Sequence, residues 1–233
     1  MGQFKISLKS TALNLLIISL FMFSCKKEPC NLSTITTSTV TDSEGHVYPT
    51  VIIEDQEWMT ENLNTSLFAN GDTIEQIKGD SLWTITSNPG FVYFDNDSAR
   101  QEGLSYGKIY NFNAANDERN VCPVGWHVST KKEWEQLIEC MDGEYKAGIK
   151  LKQSGVSEWN APNDVFATNE SKFSALPHGA RTEDGSFYNQ RFFAYFWGID
   201  NDPTTFSLSY ISEGIASFEV DNQFGASVRC VKD

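Results

Sequence analysis

The stretch VCPVGWHVSTKKEWEQL, Val121 to Leu137, decides how this chain is read. Thr130 followed by Glu133 is a capping-box spacing, in which each side chain can satisfy a backbone N–H that the first helical turn leaves without a partner. Behind it Trp134, Leu137, Ile138 and Met141 recur at i, i+3, i+4 and i+7, one face of a helix. Gly143 supplies the stop. Half of the stretch is therefore a capped amphipathic helix anchored by Trp134. The other half brings Cys122, Trp126 and His127 to the start of an expected strand. No residue here has a catalytic partner in view, so the stretch reads as a structural keystone.

Outward from it the chain is rich in β signals. DSEGHVYPTVIIEDQEW (Asp42 to Trp58) predicts a turn at Ser43–Gly45, a strand at about Val47–Ile53, a turn at Glu54–Asp55 and a strand through Trp58. GFVYFD (Gly90 to Asp95) and RFFAYFWGI (Arg191 to Ile199) are aromatic and β-branched runs. The end of the chain predicts two strands around a turn at Asp221–Gly225, and KIYNFNAAN (Lys108 to Asn116) predicts one further helix.

The first residues are set apart from the fold. Lys5 and Lys9 precede the apolar run Thr11 to Ser24, which at 14 residues is short of the roughly 20 needed to span a bilayer. The small Ser24 before Cys25 predicts a lipoprotein signal over residues 1–24, with cleavage before Cys25 and acylation there. Residues 25–41, rich in Ser and Thr, read as a tether holding the domain off the membrane. Residues 42–233 fit one domain. Removing the signal leaves 16 basic against 31 acidic residues, a balance of −15. That surface excludes nucleic acid and anionic lipid as partners. The expected place is the bacterial cell envelope, at the outer membrane or cell surface, and CKKEP after the anchor does not separate a surface-facing from a periplasmic leaflet. Cys30, Cys122, Cys140 and Cys230 allow three pairings in an oxidising compartment, and no C-x-x-C pair indicates zinc or redox chemistry.

Three pieces, QEWMTENLN (Gln56 to Asn64), YGKIYNFNAAN (Tyr106 to Asn116) with VCPVGWHVSTKKEWEQL, and FSALPHGARTEDGSF (Phe173 to Phe187) leading into FWG and the terminal GASVRCVKD, occur in the order seen in the Fibrobacter succinogenes major paralogous domain. Over about Thr41 to Asp233 the chain resembles that family of exported bacterial domains, many of them lipoproteins. The resemblance implies an α+β, C-type lectin-like fold: small antiparallel sheets flanked by two helices, similar also to the formylglycine-generating sulfatase-modifying enzymes. It carries no assigned activity. It implies that Cys122 bonds to Cys230, a closure worth roughly 4–5 kcal/mol on the chain-entropy model. Cys30 and Cys140 are left to pair or to stay reduced.

The catalytic readings are weaker. GLSYG (Gly103 to Gly107) matches a nucleophile elbow at Ser105, with His127 and His178 downstream, but a polar loop precedes it where a buried strand is required. Cys140 lies in a locally acidic helix, the wrong setting for a reactive thiol. His46, His127 and His178 show no metal-binding spacing. His127 reads as a satisfied structural histidine, and His178 as a loop residue near Arg181.

Calcium is weighed on EWNAPND (Glu158 to Asp164) and DNDP (Asp200 to Pro203), whose oxygens are of the right type, although Asx turns explain such clusters without metal. In the run from Phe192 to Trp197, alternation exposes Phe193 and Tyr195 or the converse set. Trp159 and Trp83, flanked by polar residues, are the candidates for exposed stacking. The expectation is a non-enzymatic, lipid-anchored module without a cofactor, binding a glycan or protein through Trp159, Asn160 and Asp164 together with Asp200, Asn201 and Asp202. The alternatives are a sulfatase-modifying-like enzyme, which needs a free thiol at Cys140 or Cys30, and a passive envelope component.

Overall fold

A computed structural model describes residues 30, 32, 37–99 and 106–233. The expected signal, the Cys25 acylation position, most of the tether and Ser105 of the elbow motif lie outside the described residues.

The first sheet closes the two ends of the chain on each other. Its strands are β1 (Thr37–Thr41), β2 (Val47–Ile53), β3 (Gln56–Met59), β7 (Trp126–Val128) and β14 (Cys230–Lys232), in the antiparallel order β1-β2-β3-β14-β7. β2 alternates exposed and buried residues along its first half, as a strand with one face on the core must. Its two flanking turns fall where the sequence puts them, at Gly45 and at Glu54, both with left-handed φ. β1 lies ahead of the expected boundary at 42: the Thr-rich segment that reads as tether pairs Thr37 to Thr41 with β2 and is already part of the fold.

A six-stranded sheet contains β4 (Glu75–Gln76), β5 (Gly90–Val92), β6 (Ile109–Asn111), β8 (Ala180–Arg181), β9 (Phe187–Tyr188) and β13 (Gly225–Ala226), in the order β4-β5-β6-β13-β8-β9. The β4–β5 pair is parallel and the other pairs are antiparallel. The third sheet is the meander β10 (Phe193–Gly198), β11 (Thr204–Ser209), β12 (Ile215–Glu219).

Among the described residues five short helices connect these sheets: α1 (Asp80–Ile85), α2 (Phe112–Ala115), α3 (Lys131–Cys140), α4 (Ala147–Leu151) and α5 (Asn163–Phe166). The chain is thus α+β, with three small sheets and more helical pieces than the expected two. Among the described residues no helix is long and apolar enough to cross a membrane. The single helix expected over Lys108–Asn116 is instead strand β6 followed by α2. The β-branched and aromatic Ile109 and Tyr110 are taken up by pairing with β5 and β13, and Asn111 then caps α2 by accepting the Ala114 N–H.

α3 is built as its sequence specifies. Thr130 Oγ1 accepts the Glu133 N–H at 3.2 Å, and Glu133 accepts the Thr130 N–H at 2.7 Å. Trp134 is fully buried, stacked on Phe206 at 5.0 Å and edge-on to Trp58 and Phe173. Its indole N–H donates to Ser129 Oγ and the Trp197 carbonyl, so the polar end of the ring carries no desolvation penalty.

Cys122 and Cys230 are bonded, with Cα atoms 5.9 Å apart. Cys30 and Cys140 pair as well, at 5.0 Å, which ties the segment ahead of β1 to the end of α3. Two bridged pairs belong to an oxidising, non-cytoplasmic compartment.

Candidate functional site

The residues most conspicuous in the sequence are used up inside the fold. Arg229 is fully buried and donates to Asn62 Oδ1 (2.8 Å) and to the carbonyls of Met59 (2.9 Å), Phe173 (2.8 Å) and Ser174 (3.2 Å), with its guanidinium over the Phe173 ring. Asn62 passes the network on through its amide N–H groups to the Tyr106 carbonyl and Ser227 Oγ. Ser227 Oγ lies 3.0 Å from Nδ1 of His178, whose ring stacks on Tyr106. One buried cation therefore joins the ENLN segment, the FSALPHG segment and the terminal strand.

His178 lies in irregular backbone just ahead of Arg181, as the sequence implies, but not at the surface. It is wholly buried, and burial pushes its pKa down to about 3, so it is neutral. Ser227 and His178 form a serine–histidine pair, but both are sealed from solvent. Arg181 is likewise buried, held by the carbonyls of Ile77, Lys78 and Gly185 and by Asp80, over the Trp83 and Phe187 rings.

His127 is a structural histidine, as its sequence context implies. The Glu133 carboxylate at 2.8 Å and Asp233 at 2.7 Å raise its pKa to about 9 against the effect of partial burial. Asp42, Glu44 and His46 converge in the β1–β2 turn, but Asp42 accepts the N–H groups of Glu44 and His46 and the Tyr48 hydroxyl, while Glu44 accepts from Ser66. Their acceptors are taken up by the turn and by Tyr48 and Ser66.

The expected binding surface is not assembled. Trp159 is 1% exposed, packed in the hydrophobic core with Lys152 over its ring and its indole N–H on the Ala175 carbonyl. Trp83 is buried beneath Arg181, its indole N–H on the Gln223 carbonyl. Asn160 is bonded to Arg191, just ahead of β10, and Asp164 lies exposed on α5. Asp200, Asn201 and Asp202 form the exposed turn between β10 and β11, at the far end of the same strand. Six strand residues span about 17 Å. A calcium ion needs its oxygens within about 2.6 Å, so no ion is shared between the two loops.

An open groove of about 430 Å³ lies elsewhere, over the outer face of the β10–β12 meander. Along β11 the side chains alternate. Phe206 and Leu208 face one side and Ser207 and Ser209 the other, in register with Ala216 on β12 and with Tyr195 and Phe193 on β10. Ser207 and Tyr195 are buried, and the face opens at the half-buried Ser209 and Phe193. Small side chains on that face leave a depression. Phe193, half-buried and stacked on Tyr195 at 5.8 Å, walls it on one side.

Glu144 and Tyr145, from the turn between α3 and α4, wall it on the other. Tyr145 is 81% exposed, and a hydrogen bond to Glu144 raises the pKa of its hydroxyl. The wall is fixed to the floor by backbone hydrogen bonds from Ile215 N–H to the Glu144 carbonyl and from Ile149 N–H to the Glu213 carbonyl, both 2.8 Å, and by the Lys146–Glu213 ion pair. Gly148 and Gly214 let the two turns touch: a Cβ on either would come within 3 Å of the other turn's backbone. From beneath, the buried Lys152 ammonium donates to the carbonyls of Ser209 (2.6 Å) and Ser212 (2.7 Å). Burial lowers its pKa to about 8, opposed by Glu213.

Sequence reasoning missed this groove. The one signal available was the F-S-L-S alternation of TTFSLS, a strand with large apolar residues on one side and small polar ones on the other.

Residues 51–232 match the sequence model of the Fibrobacter succinogenes major domain. The chain belongs to that family. Comparison with curated proteins and with solved structures gave no match. Within this Fibrobacter succinogenes major domain, the motif segments that carry the family likeness are those that converge on Arg229, so they define the scaffold, whereas the groove lies on the meander between them.

Proposed function

We propose that this protein is a non-enzymatic binding module of the bacterial cell envelope, held to a membrane by acylation at Cys25 on a lectin-like scaffold. The observation that carries the reading is the groove itself: an open, pre-assembled depression whose floor and wall are bonded together before any ligand arrives, which lowers the ordering cost of binding. The cysteine chemistry of the sulfatase-modifying alternative needs a free thiol at Cys140 or Cys30, and these two are bonded to each other, as are Cys122 and Cys230. Supporting an anchored role, four residues separate Cys25 from Cys30, which is pinned to α3. At about 3.5 Å per residue the anchor lies within roughly 20 Å of the fold. The domain then rests against its membrane instead of standing off on a 17-residue tether.

The test is retention of the purified protein on immobilised envelope fractions, wild type against Ser209→Trp, which fills the floor. Retention of the wild type alone supports the reading. Equal retention of both, or of neither, sinks it. Mass spectrometry of the mature N-terminus, with Cys25→Ser as control, decides the anchor separately.

A further inference from the structure

Resting on that binding reading, the geometry points to a neutral saccharide as the occupant of the groove, stacked against Tyr145 and hydrogen-bonded by Ser207, Ser209, Ser212 and Glu144. Three features of the lining select that chemistry.

The first is the kind of polar group. A serine hydroxyl both donates and accepts, as a sugar hydroxyl does, so the two can pair in either sense. Ser209 and Ser212 use an oxygen lone pair to accept the N–H groups of Ile211 and Gly214, which leaves their protons to donate outward. The hydroxyl of Ser207, a residue 9% exposed, has no hydrogen-bond partner among the described residues. Glu144 adds a carboxylate, an acceptor for sugar hydroxyls.

The second is charge. Among the described residues no lysine or arginine lines the groove, and Glu144 is the one charged residue that does. A phosphate, sulfate or uronate would meet a carboxylate without a compensating cation, in a chain whose net charge is −13. Lys146 and Lys152 do not supply one, the former being paired with Glu213 and the latter turned to backbone carbonyls below the floor.

The third is shape. Aromatic side chains at Tyr145 and Phe193 line the groove beside small side chains, an arrangement of apolar surface with a few polar groups. Its volume accommodates roughly one or two sugar rings. That size also argues against a folded protein partner, whose interface buries on the order of 800 Å² per side. The competing occupant is an extended peptide added to β12, the exposed edge strand of the meander.

The test measures binding of the full mature protein to an array of neutral oligosaccharides (chitotetraose and maltotetraose among them) and acidic ones (tetragalacturonate), followed by calorimetry on the hits. The expected result is binding of at least one neutral oligosaccharide, weakened tenfold or more by Tyr145→Ala and by Ser207→Leu, with the folded-state melting temperature unchanged in Tyr145→Ala. Binding confined to acidic sugars, binding indifferent to both variants, or no binding to any sugar overturns the proposal. If sugars fail while an envelope peptide binds and Ser217→Pro on β12 abolishes that, the saccharide assignment falls and the binding-module reading stands. If nothing from the envelope is retained at all, both fall.

Discussion

Two regions of this molecule use polar side chains in opposite ways. Around Arg229, the groups that look catalytic on paper, a serine, a histidine, an asparagine and an arginine, are buried and bonded to one another and to main-chain carbonyls from three distant segments. Around Ser209 and Ser212, serines lining the groove are partly exposed with hydrogen-bonding capacity left over, and Ser207 beside them is 9% exposed. A buried polar group must find its partners within the protein, so it is committed to the scaffold. A solvent-facing group is held by water, which a ligand can displace. Residue type alone does not separate the two cases; the availability of the hydrogen bonds does.

The comparison breaks first at Arg229. Arg229→Met removes the cation and leaves Asn62 Oδ1 and three carbonyls buried without their donor, which should cost about 3–5 kcal/mol. For a domain of this size that lowers the melting temperature by on the order of 10 °C, measurable by calorimetry. A drop under about 2 °C would mean that the network is not what joins the three segments.

His178 sharpens the same point through pH. Its folded pKa lies below the unfolded value of about 6.5, so the unfolded chain binds the extra proton. Its contribution is complete above pH 6.5 and is lost as the pH falls toward 3, on the order of 1 kcal/mol per pH unit. Denaturant titrations between pH 7 and 5 should show that slope in the wild type and a flatter one in His178→Gln. Equal slopes would show that His178 is not sealed in the fold.

His127 should behave in the reverse sense and more weakly. Its folded pKa is raised to about 9 by Glu133 and Asp233, so its stabilisation is full below about pH 6.5 and disappears as the pH rises through 9. With a third of the side chain exposed, screening holds the effect below about 1 kcal/mol. His127→Gln should therefore remove a small loss of stability between pH 7 and 9.5.

The smallest effect belongs to the groove. Tyr145→Ala and Ser207→Ala should each change stability by less than about 0.5 kcal/mol by chemical denaturation, because neither leaves a buried group without a partner. A larger loss at either position would place that residue in the scaffold and dissolve the distinction.

Local patterns were legible. The Thr130–Glu133 capping box, the Trp134 face, the turns at Gly45 and Glu54 and the hairpin they bound all appear where their sequence puts them, because each depends on neighbours a few residues away. The binding surface was not. Trp159 and Trp83 sit among polar residues and yet are buried, and the two acidic loops chosen as one surface stand at opposite ends of β10. Composition reports what a loop contains and not where its ends are carried.

By itself the sequence determined the family, the mixed α+β class, the capped central helix and the Cys122–Cys230 pairing that the family likeness implied. Tertiary structure alone decided that Cys30 closes on Cys140, that Asn62, His178, Ser227 and Arg229 meet, and that Tyr145 lines one groove with the serines of β11. The physical reason is range. Caps, turns and strand alternation are set within one element. Each of those meetings joins residues tens to more than a hundred positions apart, brought together only when three sheets bury their inner faces on one another.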